Sequence, residues 1–251
     1  MTWRDPLQES RGVVYVAFGT EYIKVGAASA HSIRQWDANI AVHVITNREP
    51  GEHRERWPIG TTFGYMPLPD EANRSIRTQI DTLTPFDRTL LLDADAYCAS
   101  GKALVPFDYL DRFDMVVVTY KTLGADAGLR AHKDWGPVSQ SLGTGGHFCY
   151  CGGIVYFRKH SRVTDFFSTW HRLWKQAGQG RDMLPMFTAL WRSEVRFLPM
   201  PGPDVWIGQK HGVFRHSAGM QIPQLPAMAH KFKPNGAAGE WVKVTMKGPY
   251  R

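Results

Sequence analysis

Apolar residues run unbroken through Val13-Val14-Tyr15-Val16-Ala17-Phe18 and stop at Gly19. Such a run, bounded by Gly12 and Gly19, predicts a strand buried on both faces. The pattern then changes to helical spacing. Thr20 stands at an N-cap position, and Ile23, Val25, Ala27 and Ala28 lead a helix to about Trp36. Ile40 to Thr46 predicts a second strand and Thr61 to Met66 a third. Pro69-Asp70-Glu71 opens a helix through about Leu83, which Thr84-Pro85 stops. Thr89 to Leu92 and Met115 to Thr119 are further strands. Strands alternating with helices over the first hundred residues predict an α/β, Rossmann-like single domain with a mostly parallel central sheet flanked by helices.

The second half is less regular. Tyr120 to Gly146 has many glycines and little periodicity, so it predicts a long loop. Tyr150 to Phe157 returns to strand. From Ser161, the residues Phe166, Phe167, Trp170, Leu173 and Trp174 recur at helical spacing and are expected in the core. Gly178 and Gly180 end that helix. Asp182 is placed to cap the next one, which carries Met186, Leu190 and Trp191. Short strands are expected near Val195 to Leu198, Val205 to Ile207 and Val213 to Arg215. The natural division is residues 1–219 as the folded domain and 220–251 as a basic C-terminal segment packed on it or trailing from it.

Composition narrows the class. A chain of 251 residues with 43% hydrophobic and 21% charged residues suits a globular protein. No run approaches the ~18 apolar residues of a membrane helix, and the N-terminus has no secretory h-region. Three cysteines, Cys98, Cys149 and Cys151, do not make a disulfide framework, and Cys149-x-Cys151 lacks a second pair for zinc. A reduced, cytoplasmic protein is expected. From Val205 onward seven basic residues face Glu240 alone, so nearly all of the net charge of +7 lies there. That segment suits a phosphate-rich ligand (a nucleotide diphosphate, nucleic acid or both) or is a solvated tail.

The densest chemistry is Leu90-Leu91-Leu92-Asp93-Ala94-Asp95, a buried-looking run that ends in two carboxylates. Burying such charges is costly without compensation. Ligands of open α/β sheets collect at strand ends of this kind, and hard cations are commonly held by one or two carboxylates plus substrate phosphates. His216 and the lysines Lys231 and Lys233 follow later in the chain. Two carboxylates, an imidazole and diphosphate oxygens would suit Mn²⁺ or Mg²⁺, the imidazole favouring Mn²⁺. Gly143-Thr-Gly-Gly-His-Phe148 has neither dinucleotide-fingerprint spacing nor a P-loop lysine. A Gly-x-Ser-x-Gly elbow is also absent.

These motifs, in this order, resemble nucleotide-sugar glycosyltransferases of the GT-A fold, nearest to the glycogenin-like and lipopolysaccharide galactosyltransferase-like group and its bacterial and phage relatives. Val14 to Tyr22 resembles the strand and loop that hold the nucleoside. Arg77 stands where the group often places a donor-touching basic residue. Pro85 to Asp95 is similar to the metal-binding strand, Gly152 to Phe157 with the later Asp182 to the acceptor-side half, and His216-x-x-Gly219 to a third-ligand motif. The resemblance implies donor contacts from Ala17, Phe18, Gly19, Thr20, Tyr22, Arg77, Asp93, Ala94 and Gly219. It implies a metal on Asp93, Asp95 and His216, and catalytic roles for Asp182, Lys231 and Lys233. The donor implied is a nucleotide-diphosphate sugar, a UDP-sugar first. Departures fall on the sugar side: Cys151 replaces the usual Asn or Thr, Met183 follows Asp182 in place of Gln, and Lys-Phe-Lys-Pro234 replaces a lysine-proline-tryptophan ending.

The expected reaction is sugar transfer to a hydroxyl. Asp182 would act as base if configuration inverts, or hold sugar hydroxyls if it is retained. Two acceptors fit the expectation: a hydroxymethylated base in DNA, as in phage hypermodification, or a glycan, lipid or small metabolite. Nucleotidyl transfer and non-catalytic binding are the competing classes.

Overall fold

The computed structural model describes residues 9–122, 148–180, 182–202, 207 and 212–216, with the backbone alone at 120–122, 148–149 and 216. The first apolar run forms β1 (Arg11–Ala17), followed by α1 (Thr20–Arg34), β2 (Ala41–Thr46) and β3 (Thr62–Tyr65). Two short helices, α2 (Asn73–Arg77) and α3 (Ile80–Leu83), precede β4 (Arg88–Leu92) and β5 (Ala96–Cys98). Then come α4 (Pro106–Tyr109), β6 (Met115–Thr122), β7 (Phe148–Arg158), α5 (Ser161–Gln176), α6 (Met183–Arg192), β8 (Phe197–Met200) and β9 (Phe214–His216).

The main sheet has the order β3-β2-β1-β4-β7-β6-β8. Four of its six pairings are parallel, and the exceptions are the two made by β7. The expected mostly parallel α/β sheet is therefore observed. The unbroken apolar pattern of β1 follows from burial on both faces. Val13, Tyr15 and Ala17 join the core under α1, whereas Val14, Val16 and Phe18 join the core under α5 and α6. The aromatics of α5 are core, as their spacing predicts: Phe166, Phe167 and Trp170 are buried in mutual ring contact. Among the described residues, no helix is long and apolar enough to cross a membrane.

Several local expectations are corrected. The helix expected over 69–83 is broken into a 3₁₀ turn (Asp70–Ala72), α2 and α3. At the break, buried Thr78 donates its hydroxyl to Ser75 O at 2.9 Å and lies 2.7 Å from His171 Nδ1, while the Gln79 side chain also donates to Ser75 O. Such side-chain bonds compete with helix continuation. Thr20 is not the N-cap of α1; Gly19 is, and no side chain caps that end. Asp182 does occupy the N-cap position of α6, but its side chain makes no capping bond. Strand β6 runs on to Thr122, β7 begins at Phe148, and neither β5 nor α4 was expected. Of the stretch expected as strand around Val205, Ile207 bridges to Phe214 and Val205 lies outside the described residues, as does the segment 220–251.

One charge cluster ties the end of the sheet where β4 begins and β7 ends. Asp114, immediately before β6, is fully buried. Its carboxylate accepts from Arg158 Nη2 (3.1 Å), Arg162 Nε and Nη2 (2.8 and 2.9 Å), and Arg196 N, Nε and Nη2 (3.0, 3.2 and 3.1 Å). Those arginines come from the end of β7, the first turn of α5 and the approach to β8. Burial pushes the carboxyl upward, but the three guanidiniums outweigh it and hold it far below the usual range. Removing one partner of a buried ion pair costs about 3–5 kcal/mol. D114N should lose stability on that order in urea denaturation at pH 7. The folded value is depressed, so the contribution is full above the ordinary value of 3.8 and fades as pH falls below it. The gap between wild type and D114N should therefore narrow in acid.

Candidate functional site

Strand β4 delivers the acidic pair. Leu90, Leu91 and Leu92 are buried, and at Asp93 the chain turns. Asp93 N–H donates to Gly153 O at 2.8 Å, and Ala96 N–H donates back to Asp93 O at 3.0 Å. The turn points Ala94 inward, where it is buried against α1; a Cβ on Gly26 would lie 3.4 Å from its methyl group. Asp93 and Asp95 stay partly exposed on either side. Strand β5 then pairs antiparallel with β9, and Ala96 faces His216 in register. The backbone of His216 thus stands one residue from Asp95, although the two are remote in sequence. Among the described residues, no three His, Cys, Asp or Glu side chains form a metal cluster.

A buried arginine organises the neighbouring space. Arg77, in the last turn of α2, is only 12% exposed. Its Nη1 lies 2.8 Å from Asp93 Oδ1 and 3.6 Å from Asp182 Oδ2. Burial works against the charge, but Asp93 first and Asp182 next more than offset it, so its pKa is raised. Gly152 and Gly153, on β7, make the close approach possible. A Cβ on Gly152 would be 3.4 Å from Arg77 Nη2, and one on Gly153 would overlap Asp93 Oδ2 outright.

Asp182 is held from behind. Trp170 Nε1 donates to Asp182 O at 2.8 Å, and Trp174 Nε1 donates to Gly180 O at 3.0 Å. The core helix α5 therefore also fixes the turn that carries this carboxylate. Asp182 Oδ2 is buried and accepts no hydrogen bond among the described residues.

The third part lies at the ends of β1 and β2. Ala17 and Phe18 are buried, so they can offer a ligand little but backbone, whereas Thr20 is exposed and Tyr22 partly so. Gly19 has φ +82 and donates its N–H to Asn47 Oδ1 at 2.8 Å. Asn47 Nδ2 donates to Leu68 O (2.8 Å) and Asp70 Oδ1 (2.6 Å), and Arg48 Nη2 reaches the same Oδ1 at 3.0 Å. Asn47, Arg48 and Asp70 were not among the expected site residues. The available signal was that Asn47-Arg48 directly follows a strand, at the carboxyl edge where ligands bind. Strand order reverses between β1 and β4, so the groove between Gly19 and Asp93 is a topological switch point.

This architecture has solved counterparts. An active-site mutant of LgtC superimposes with a TM-score of 0.57 at 12% identity, over 89% of this chain and 84% of that one. The chain has the GT-A fold. A glycosyltransferase involved in glycosylation of the major capsid of PBCV-1 shares this GT-A fold with a TM-score of 0.54 and 12% identity, over 89% of this chain and all of that one. The bifunctional glycosyltransferase WbbM gives 0.54 and 12%, over 91% of this chain but 45% of its own length. No family model and no curated protein sequence matches the chain. Within the GT-A frame the structure brings together Arg77, Asp93, Asp95, Asp182 and the backbone of His216. Gly219, Lys231 and Lys233 lie outside the described residues.

The overlap at Gly153 yields a direct test. G153A must displace the Asp93 carboxylate and should cost about 1–3 kcal/mol of stability, read as a lowered urea midpoint. G152A, which meets only a 3.4 Å contact, should cost less.

Proposed function

We propose that this protein is a metal-dependent glycosyltransferase that moves a sugar from a nucleotide-diphosphate sugar, a UDP-sugar first, to a hydroxyl. The observation that carries the reading is the acidic turn at the switch point of a GT-A sheet, with the backbone of His216 in register beside it. The chemistry of the donor set fits a divalent cation. Asp93 and Asp182 flank one guanidinium with Asp95 close by, and carboxylate oxygens of this kind suit a hard cation.

Asp93, Asp95 and His216 would hold the ion. When bound, Mn²⁺ or Mg²⁺ supplies charge neutralisation for a departing diphosphate. Arg77 orients Asp93 and holds Asp182 in place. Asp182, a carboxylate beside Arg77 that is 13% exposed, would take a hydrogen bond from a sugar or acceptor hydroxyl. It would deprotonate the acceptor if the reaction inverts and position the sugar if it retains. Lys231 and Lys233 would stabilise the leaving group. The basic stretch after Val205 supports a polyanionic acceptor, and DNA carrying a hydroxymethylated base has both the charge and the hydroxyl. A glycan, lipid or small metabolite is the alternative acceptor, and the reaction is expected in the cytoplasm.

Incubation with Mn²⁺ and a panel of nucleotide sugars should release nucleoside diphosphate; pyrophosphate would instead indicate nucleotidyl transfer. D95N should slow turnover on the order of 100-fold or more, because losing the cation's contribution is worth several kcal/mol. Undiminished metal-dependent turnover in D95N would defeat the assignment. Affinity for hydroxymethylated DNA should fall steeply with salt, and salt-insensitive or absent binding would remove DNA as acceptor.

A further inference from the structure

We propose that the free edge of β3 is a self-association surface, where two copies of this chain pair their β3 strands antiparallel about a twofold axis centred on Gly64. This inference stands independently of the glycosyltransferase reading.

Strand β3 ends the main sheet, so β2 is its only neighbouring strand among the described residues. Met66 N–H donates to Thr46 O at 2.9 Å, with Thr46 and Tyr65 in register. Alternate residues of a ladder turn their backbone groups to the same side, so Thr62, Gly64 and Met66 face β2. Phe63 and Tyr65 therefore point their N–H and C=O groups away from the sheet. A row of such groups is a template for another strand, and natural edges commonly blunt it with charge, proline or a bulge. Residues 57–69 carry no charge, in a chain of which 21% is charged. Thr62–Tyr65 contains no proline, and its register with β2 is unbroken.

The edge is complementary to itself. A twofold at Gly64 sets Phe63 opposite Tyr65 of the second copy, and Tyr65 opposite its Phe63. Both members of each pair have outward backbone groups, so each pair exchanges both N–H···O bonds. Phe63 packs against the core under α1, and the two-residue period of a strand puts Tyr65 on the same face. Each pair is thus an aromatic pair across strands, which stabilises a sheet. Between them the two Gly64 residues meet at the closest position of an antiparallel ladder, with no side chain on either. Ile59, 93% exposed, precedes the strand and exposed Leu68 follows it. Antiparallel pairing carries Ile59 of one copy toward Leu68 of the other, so two apolar side chains that face solvent in one copy approach each other.

Charge selects the occupant. The chain carries +7 overall, and two like-charged copies repel. Like charges set opposite each other also weaken a strand pairing. A neutral edge is where two such copies meet without that cost. Arg54 lies over the Phe63 ring, 5.6 Å from its centroid. In the antiparallel pair that ring sits opposite Tyr65 of the second copy, an aromatic and not a second guanidinium. A strongly charged partner finds no charge on residues 57–69 to recognise.

The test is sedimentation velocity of the full chain from ~1 to ~100 μM, with amide hydrogen exchange followed by NMR at both ends of that range. A strand of four residues makes a small interface, so the dimer should form with a Kd on the order of 10 μM. The Phe63 and Tyr65 amides should exchange freely at the low concentration and gain protection at the high one. The Met66 amide, bonded to Thr46, should be protected at both. Y65P removes an outward N–H and leaves the bonds to β2 in place, and Y65K sets a charge on the edge. Each should weaken the dimer about 10-fold or more. I59E changes an exposed position outside the strand; it should weaken the dimer by less and keep the melting temperature of the dilute protein. A chain that stays monomeric up to ~100 μM overturns the proposal. So does a dimer that persists unchanged in all three variants, which would place the interface elsewhere. Protection of Phe63 and Tyr65 in the monomer also overturns it, because another segment of the same chain would then cover β3.

Discussion

One buried guanidinium governs the shape of the candidate site. Charges out of water are costly unless paired, and Arg77 is paired twice, with Asp93 at the end of β4 and with Asp182 before α6. Through those contacts it joins α2, the central strand and the turn before α6. The other features follow from it. Gly153 must lack a side chain because the Asp93 carboxylate lies against β7. Asp182 serves Arg77 rather than its own helix N-terminus. Trp170 and Trp174, whose rings belong to the core, use their N–H groups to steady the turn that presents Asp182.

The two ends of the sheet use buried carboxylates in opposite ways. Asp114 is sealed from solvent and surrounded by three guanidiniums. Every bond it makes is internal, so it acts as a staple among β6, β7, α5 and β8. Asp93 is 25% exposed, shares its arginine with a second acid and has a third acid two residues on. Among the described residues, three guanidiniums surround one carboxylate at the first end, whereas one guanidinium lies between two carboxylates at the second. The second end is also where strand order reverses, the position at which open α/β sheets bind their ligands.

The likeness to LgtC and to the capsid-related viral glycosyltransferase holds at 12% identity. What persists at that distance is the fold, the mostly parallel sheet and the order of its strands. The edge around Gly19 is assembled from three segments of the chain. A glycine with a left-handed backbone stands in the first turn, and Asn47 and Asp70 supply polar atoms from two later segments.

Periodicity records burial, and burial is what the sequence by itself determined. The two-faced apolar run of β1, the Leu90–Leu92 run broken by Asp93 and the aromatic stripe of α5 each predicted their element and its place in the core. The order of acidic motif, glycine pair and Asp182 pointed to residues that the fold brings together around Arg77. Contacts that depend on a side chain meeting a remote partner left no trace in the local pattern. Thr78 breaks its helix by bonding to Ser75 and His171. Three residues of β5 find their strand only when β9 returns to pair with them. Asn47, Asp70 and Asp114 look like ordinary polar residues in sequence. Only tertiary structure gave them roles, because an ion pair or a ladder register is set by distances across the fold, and those distances exist only after the core has closed.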